Sequence, residues 1–456
     1  MKHTHAICMT AGPLTKNLIA FSIPIALTGM MQQLFNSADT AVVGHFTNGD
    51  ALAAVGINGE LIALFICLST GLAIGSNVLI ARCIGEKNTT AISASIHTSI
   101  ALALLIGSLG MGIGLLIAEP LLRLIDTPET IFPLALLYLR LYFLGYPFLL
   151  LYDFASAILR SKGNSRSPFI ALLLSGLVNV LLNLCLVIVF HMGVAGVAIA
   201  TDMATAFSAA LVMYYLTQET GPFCFSWSQL TLQKNLACSI LKIGIPAALQ
   251  GAVFCFANIF VQASVNHFGT TVVAGNTIAI NFEYFVYYLI AAFGQTTTTF
   301  TSQNYGAGNI SRCKQILKQC LLLSLISSAC ITIPAGLGYQ YSAALFASDP
   351  DIIAAAGVRC LIIVLWEPIC SFFEIPACSL RGLGYSTLPA IWTILGTCLL
   401  RILWILFIFQ NNHPIQWLYI IFPISWILTA LLMNGSLYQV YKKIETKKIF
   451  SQSPYV

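Results

Sequence analysis

Charge is what this sequence has least of. Asp, Glu, Lys and Arg make up 8% of 456 residues, against about a quarter in a soluble domain. With 58% of residues hydrophobic, the chain cannot be covered by a water-facing surface. Most of it must be solvated by lipid, so length does not count soluble domains. A basic patch is also missing. The net charge of +5 is scattered over short loops, which excludes a nucleic-acid partner and carries topology instead. No GxxxxGK[ST] phosphate loop occurs. The nearest fragment, Gly44 to Gly49, runs into Asp50, so ATP hydrolysis is not expected and energy must come from an ion gradient or a partner. None of the fourteen cysteines forms a CxxC pair, and the seven histidines lack metal spacing. Cys67, Cys185, Cys255, Cys330 and Cys398 lie in apolar runs and read as small buried hydrophobes. No cofactor, resident metal or catalytic constellation is therefore expected, and the chain reads as a non-enzyme.

What the sequence has is long apolar runs. A spanning helix needs about 20 such residues. Runs of that kind lie near 17–44, 52–82, 91–118, 130–159, 168–190, 193–216, 237–267, 273–303, 315–343, 352–379, 388–410 and 415–441. The first is too long for a signal-peptide core and reads as a span. With the N-terminus in the cytoplasm, 17 of the 21 Lys and Arg fall on that side: Lys2, Lys16, Arg82, Lys87, Arg160, Lys162, Arg166, Lys234, Lys242, Arg312, Lys314, Lys318, Arg381, Lys442, Lys443, Lys447 and Lys448. Arg123 falls outside, while Arg140, Arg359 and Arg401 fall within runs. This bias predicts a multi-pass plasma-membrane protein with both termini in the cytoplasm.

The chain repeats itself. A shift of 222 carries Ile23-Pro24 onto Ile245-Pro246, Gly29 onto Gly251, Asn36 onto Asn258, and His45-Phe46 onto His267-Phe268. After one single-residue gap, a shift of 221 carries Gly85 and Asn88 onto Gly306 and Asn309, Pro147 onto Pro368, and Asp153 onto Glu374. The same shift aligns Leu159-Arg160 with Leu380-Arg381, Gly163 with Gly384, Ser165 with Ser386 and Pro168 with Pro389. Such self-similarity is the mark of a repeat architecture. The expected fold is all-α and integral to the membrane: twelve transmembrane helices in two parallel six-helix lobes around a central cleft. The expected division is an N-terminal lobe over 1–216, a cytoplasmic linker over 217–236 and a C-terminal lobe over 237–456. An even number of helices per repeat relates the lobes by an axis along the membrane normal.

Ionisable groups inside hydrocarbon each cost about 2.5–3.5 kcal/mol at a helix centre, so each needs a reason. Gln32, Asn36 and Asp39 share one face of the first run, Asn179 and Asn183 one face of the fifth, and Asp202 and Thr205 one face of the sixth. If these faces converge they form a carboxylate site able to hold a proton, or transiently Na⁺ at Asp39. The alternative is a polar cluster that packs helices. In the second half Glu367 precedes Pro368 in mid-run, where proline frees carbonyls. Glu283 adjoins Tyr284, Tyr287 and Tyr288, a combination suited to an organic cation through charge and cation–π contact, or to an interfacial belt. Asp153 and Glu374 each lie seven residues before Arg160 and Arg381. That spacing is long for direct pairing, so a hinge or gate role is expected for these four, with Pro24 and Pro246. Arg401 is expected to neutralise a buried acid.

These residues carry a resemblance. Phe35-Asn36-Ser37-Ala38-Asp39-Thr40-Ala41-Val42-Val43-Gly44, Gly193 to Thr201, the endings Gly85-Glu86-Lys87-Asn88 and Gly306-Ala307-Gly308-Asn309, and the pair Arg160–Pro168 and Arg381–Pro389 together resemble the multidrug and toxic compound extrusion (MATE) transporters over nearly the whole chain. The resemblance implies a V-shaped, outward-open bundle exporting cationic amphipathic compounds in exchange for H⁺ or Na⁺. It matches Asp39 to the first-lobe coupling carboxylate, Asn179 to an asparagine of the fifth helix, and Glu367 to an acidic position on the tenth. Asn183 stands where some members carry aspartate, and only Asn258 and Gln262 stand where others use a glutamate of the seventh helix. A monomer is expected, with organic cations, H⁺ or Na⁺ and membrane lipid as its partners. The rival readings are a flippase for a lipid-linked sugar or precursor, which would want a basic cleft, and an integral-membrane enzyme.

Overall fold

The computed structural model describes residues 6–47, 49–409 and 413–452, the side chains of 447–452 excepted. Lys2 and the side chains of Lys447 and Lys448 lie outside the described residues. With no water in the hydrocarbon to satisfy backbone groups, helices that bond internally are what such runs form. The first six runs become α1 (Leu14–Phe46), α2 (Gly49–Gly85), α3 (Thr89–Leu124), a broken pair α4 (Phe132–Leu144) and α5 (Tyr146–Lys162), α6 (Arg166–Asn183) and α7 (Gly193–Thr217). The second six give α8 (Lys234–Asn266), α9 (Thr270–Gly306), α10 (Ile310–Leu337) with the short α11 (Tyr339–Ala344), and α12 (Pro350–Ile362) continued by α13 (Ser371–Gly382). They end with α14 (Thr387–Thr393) and α15 (Leu400–Phe407), and α16 (Ile415–Tyr419) and α17 (Ile421–Gln452). Among the described residues eleven helical stretches are long and apolar enough to cross a membrane, or twelve when α4 and α5, bent by 44°, count as one.

The chain forms two compact units, Met1–Ala248 and Leu249–Val456. The boundary falls inside α8, whose first half packs on α2. A Cβ at Gly75 would lie 2.1 Å from the Ile240 carbonyl oxygen, so the two backbones touch as only a small residue permits. Gly75→Ala must push one helix away from the other. The expected cost is about 1–3 kcal/mol, read as a lower melting temperature of the purified protein. An unchanged melting temperature would show that α2 and α8 have room to spare.

The connection before α8 is docked on the first unit. Lys162 pairs with Glu219 and lies 4.8 Å from the centre of the Phe223 ring. Phe225 stacks on His97 at 5.2 Å, and His97 Nε2 accepts the Ser226 N–H at 3.2 Å.

Repeat mates adopt the same local structure. Asn88 and Asn309 cap α3 and α10, each accepting the backbone N–H three residues on at 3.1 Å. Lys87 and Gly308 are both left-handed, as are Gly163 and Gly384. The fourth helix of each repeat is broken at one place: at Gly145-Tyr146-Pro147, and at Trp366-Glu367-Pro368, where Val364–Cys370 winds as a tighter 3₁₀ turn. Proline removes one backbone bond at each break.

Candidate functional site

The first unit gathers its polar groups around α1. Asn183, on the last turn of α6 before a wide π-helical turn over Leu184–Val189, donates its Nδ2 to Asp39 Oδ1 at 2.5 Å and to Asn179 Oδ1 at 3.2 Å. Asn179 donates in turn to Thr201 Oγ1 of α7 at 3.4 Å. Thr201 spends its own proton on the Val197 carbonyl at 3.0 Å, which leaves a lone pair for Asn179. Asn183 is fully buried, yet its Oδ1 has no donor among the described residues. A buried acceptor of this kind asks for a hydrogen-bond donor or a cation. Asp39 itself is only half-buried, so the carboxylate can be reached while its amide partners are dry.

Asn36 and Asp202 stand apart from this cluster. Asn36 is exposed, and its carbonyl accepts the Thr40 hydroxyl. The expected convergence of three faces therefore gives way to two, with Thr201 supplying the α7 contact. Asp202 faces the break between α4 and α5: a Cβ at Gly145 would lie 2.1 Å from its Oδ1. That places a carboxylate at the N-terminus of α5, where the helix dipole favours negative charge. Thr205 bonds back to the Thr201 carbonyl at 2.8 Å. Asp153 accepts Ser69 at 2.7 Å and Thr70 at 3.5 Å.

In the second unit the polar groups close on one another. Arg359 takes both oxygens of Glu283, at 2.6 and 2.8 Å. Its third contact is Asn276 Oδ1 at 2.6 Å, which also accepts Tyr419 at 3.0 Å. Asn276 then donates to Gln262 Oε1 at 3.2 Å. The expectation that Glu283 offers its charge to an organic cation is corrected: a buried guanidinium already holds both its oxygens in the bidentate geometry such pairs favour. Tyr287 is half exposed and makes an edge contact with Tyr288 at 5.9 Å. Asn258 lies half-buried on α8.

Arg401 is a second correction. Rather than an acid it meets the Phe422 ring, 4.0 Å away, and donates Nε to Ser425 at 3.2 Å; its Nη2 has no acceptor among the described residues. Glu367 is 5% exposed and its Oε2 likewise lacks a donor among them. A third correction concerns Glu374 and Arg381, which do pair, at 3.5 Å. Arg381 also donates to Gln250 at 2.8 Å and to Cys378 Sγ at 3.2 Å.

Asn276, Arg359, Tyr419 and Thr201 are the site residues that the sequence reading passed over. One signal for Arg359 was present: a base in one apolar run and an acid, Glu283, in another must find partners or remain unpaired. Pro24 and Pro246 lie inside α1 and α8.

Comparison with known proteins follows the same twofold plan. The MatE family model matches residues 24–185 and again 246–406, in register with the internal repeat. The probable multidrug resistance protein YoeA of Bacillus subtilis is 25% identical over 444 residues, covering 95% of this chain and 96% of its own. A protein of Shewanella oneidensis named FAD transporter is 27% identical, covering 77% and 78%. The crystal structure of a MATE protein in its bent conformation superimposes with a TM-score of 0.89 at 21% identity, over 98% of this chain and 99% of that one. The fold is thus the two-lobe, twelve-helix membrane fold. Matched twice along its length by one family model, the chain belongs to the MatE family of multidrug and toxic compound extrusion transporters.

Proposed function

We propose that the chain exports cationic amphipathic compounds across the plasma membrane in exchange for H⁺ or Na⁺, with Asp39 as the acid that takes up the ion. The observation that carries this reading is the unpartnered, fully buried Asn183 Oδ1 beside a carboxylate that remains reachable. A cation at Asp39 would also satisfy that acceptor, and so would a protonated carboxyl turned toward it. Asn179 and Thr201 hold Asn183 in place.

Tyr287, half exposed, offers aromatic surface to a substrate, Asn258 and Gln262, one turn apart on α8, offer polar groups, and Glu367 is a buried acid with an unmet oxygen. Asp153 with Ser69, and Glu374 with Arg381, act as structural fasteners. The basic loops support cytoplasmic termini, and the protein works as a monomer. An enzymatic role finds no support in this chemistry. The test is dye accumulation: expression in a host lacking its own pumps lowers ethidium uptake, and an ionophore that collapses the gradient restores it. Equal accumulation with and without the protein would end the reading.

A second reading, export of an anionic flavin nucleotide, draws on the Shewanella relative's name and on the free Nη2 of Arg401. The same cells assayed for flavin in the medium separate the two.

A further inference from the structure

The first unit carries a groove that the transport argument leaves unused. Its volume is about 760 Å³ and its wall is almost entirely apolar, built from Ile19, Ala20, Ile23 and Pro24 of α1. Thr15, Lys16 and Arg166 complete the lining. Residues 16, 19, 20 and 23 recur at helical spacing, so they form one stripe on α1. With a rise of 1.5 Å per residue, Ile23 lies about 10 Å further along the helix than Lys16. Lys16 is in the first turn of α1 and Arg166 is the first residue of α6, so both charges mark the same end of the groove. Helix dipoles add positive potential there. Both basic side chains are exposed, and neither makes an ion pair with a described residue. Ile19 and Ile23 are exposed as well.

An open apolar groove headed by two unneutralised cations repels the organic cations proposed as cargo. It matches an anion that carries a hydrocarbon tail. Basic pockets between membrane helices bind phospholipid headgroups. We propose that this groove binds one anionic phospholipid, its phosphate between Lys16 and Arg166 and an acyl chain along Ile19 and Ile23. The lipid braces the start of the helix whose far half carries Asp39.

The test uses the full chain in phosphatidylcholine nanodiscs, doped with phosphatidylglycerol that carries a photoactivatable group in its acyl chain. Label is expected to concentrate on the peptide holding Ile19 and Ile23, and excess phosphatidylglycerol should compete better than phosphatidylcholine. Each basic residue near the surface is worth about fivefold in binding, so Lys16→Gln with Arg166→Gln lowers that labelling on the order of 25-fold. Ile23→Trp keeps both charges and blocks the chain, so it lowers labelling independently. Three results would overturn the proposal: labelling unchanged in both variants, equal labelling by a phosphatidylcholine probe, or displacement by free glycerol phosphate, which would mark a site for the headgroup alone.

Discussion

Asp39→Asn removes ion-driven efflux while the protein still reaches the membrane in normal amount. The substitution keeps the size of the side chain and its place against Asn183. It removes the capacity to exchange a proton or bind a cation by charge. The effect is large because it cuts the energy source. When one ion is exchanged for one monovalent cation the membrane potential cancels, so each tenfold ion gradient, about 1.4 kcal/mol, sustains at most a tenfold substrate gradient. Without the coupling acid that gradient falls to none. Dye accumulation in cells expressing the variant should equal that of cells without the protein. Asn183→Leu should give an intermediate loss, since it leaves the carboxylate and takes away its buried donor. Efflux at the wild-type rate in Asp39→Asn would remove the residue from the mechanism.

Arg359→Met produces the largest loss of stability. It leaves Glu283 without either of its charged hydrogen bonds and takes a donor from Asn276. Stranding one member of a buried ion pair costs about 3–5 kcal/mol. Replacing both members, Glu283→Gln with Arg359→Met, leaves no orphaned charge and should recover much of the loss. A double-mutant cycle on thermal unfolding of the purified protein reads the coupling. Additive losses would mean that the two side chains act independently. Tyr419→Phe, which removes only the hydroxyl on Asn276, should cost no more than about 1 kcal/mol.

The spans were legible because lipid leaves the backbone few options. A run of apolar residues long enough to cross must become a helix, and those from Leu14 to Phe46 and from Gly193 to Thr217 lie within a few residues of the expected bounds. The repeat was legible because its marks are local. Asn88 and Asn309 are read from the turn chemistry around each cap, and Pro147 and Pro368 from the breaks they impose. The π-helical turns at Leu184–Val189 and Ile394–Leu399 carry no comparable local mark.

Partnerships across the fold were harder. Asp39 and Asn183 are 144 residues apart and Glu283 and Arg359 are 76 apart. Hydropathy says only that each must be satisfied, not by which neighbour. Asp202 shows the same gap: it shares the α7 helix with Thr201, yet it turns to the break at Gly145 rather than to Asp39. Glu374 and Arg381 were misjudged for a different reason. Two helical turns separate their backbones by about 10 Å, but two long side chains leaning toward each other close that distance to 3.5 Å.

The most direct measurement is transport by the purified protein in sealed vesicles, loaded with dye and given either a proton or a sodium gradient. The account predicts that dye moves against its own gradient when one of those ions flows the other way. The Asp39→Asn protein should stay at the level of empty vesicles under both conditions. Uphill movement that persists in that variant, or dye flux that follows only its own gradient in the wild type, would contradict the account.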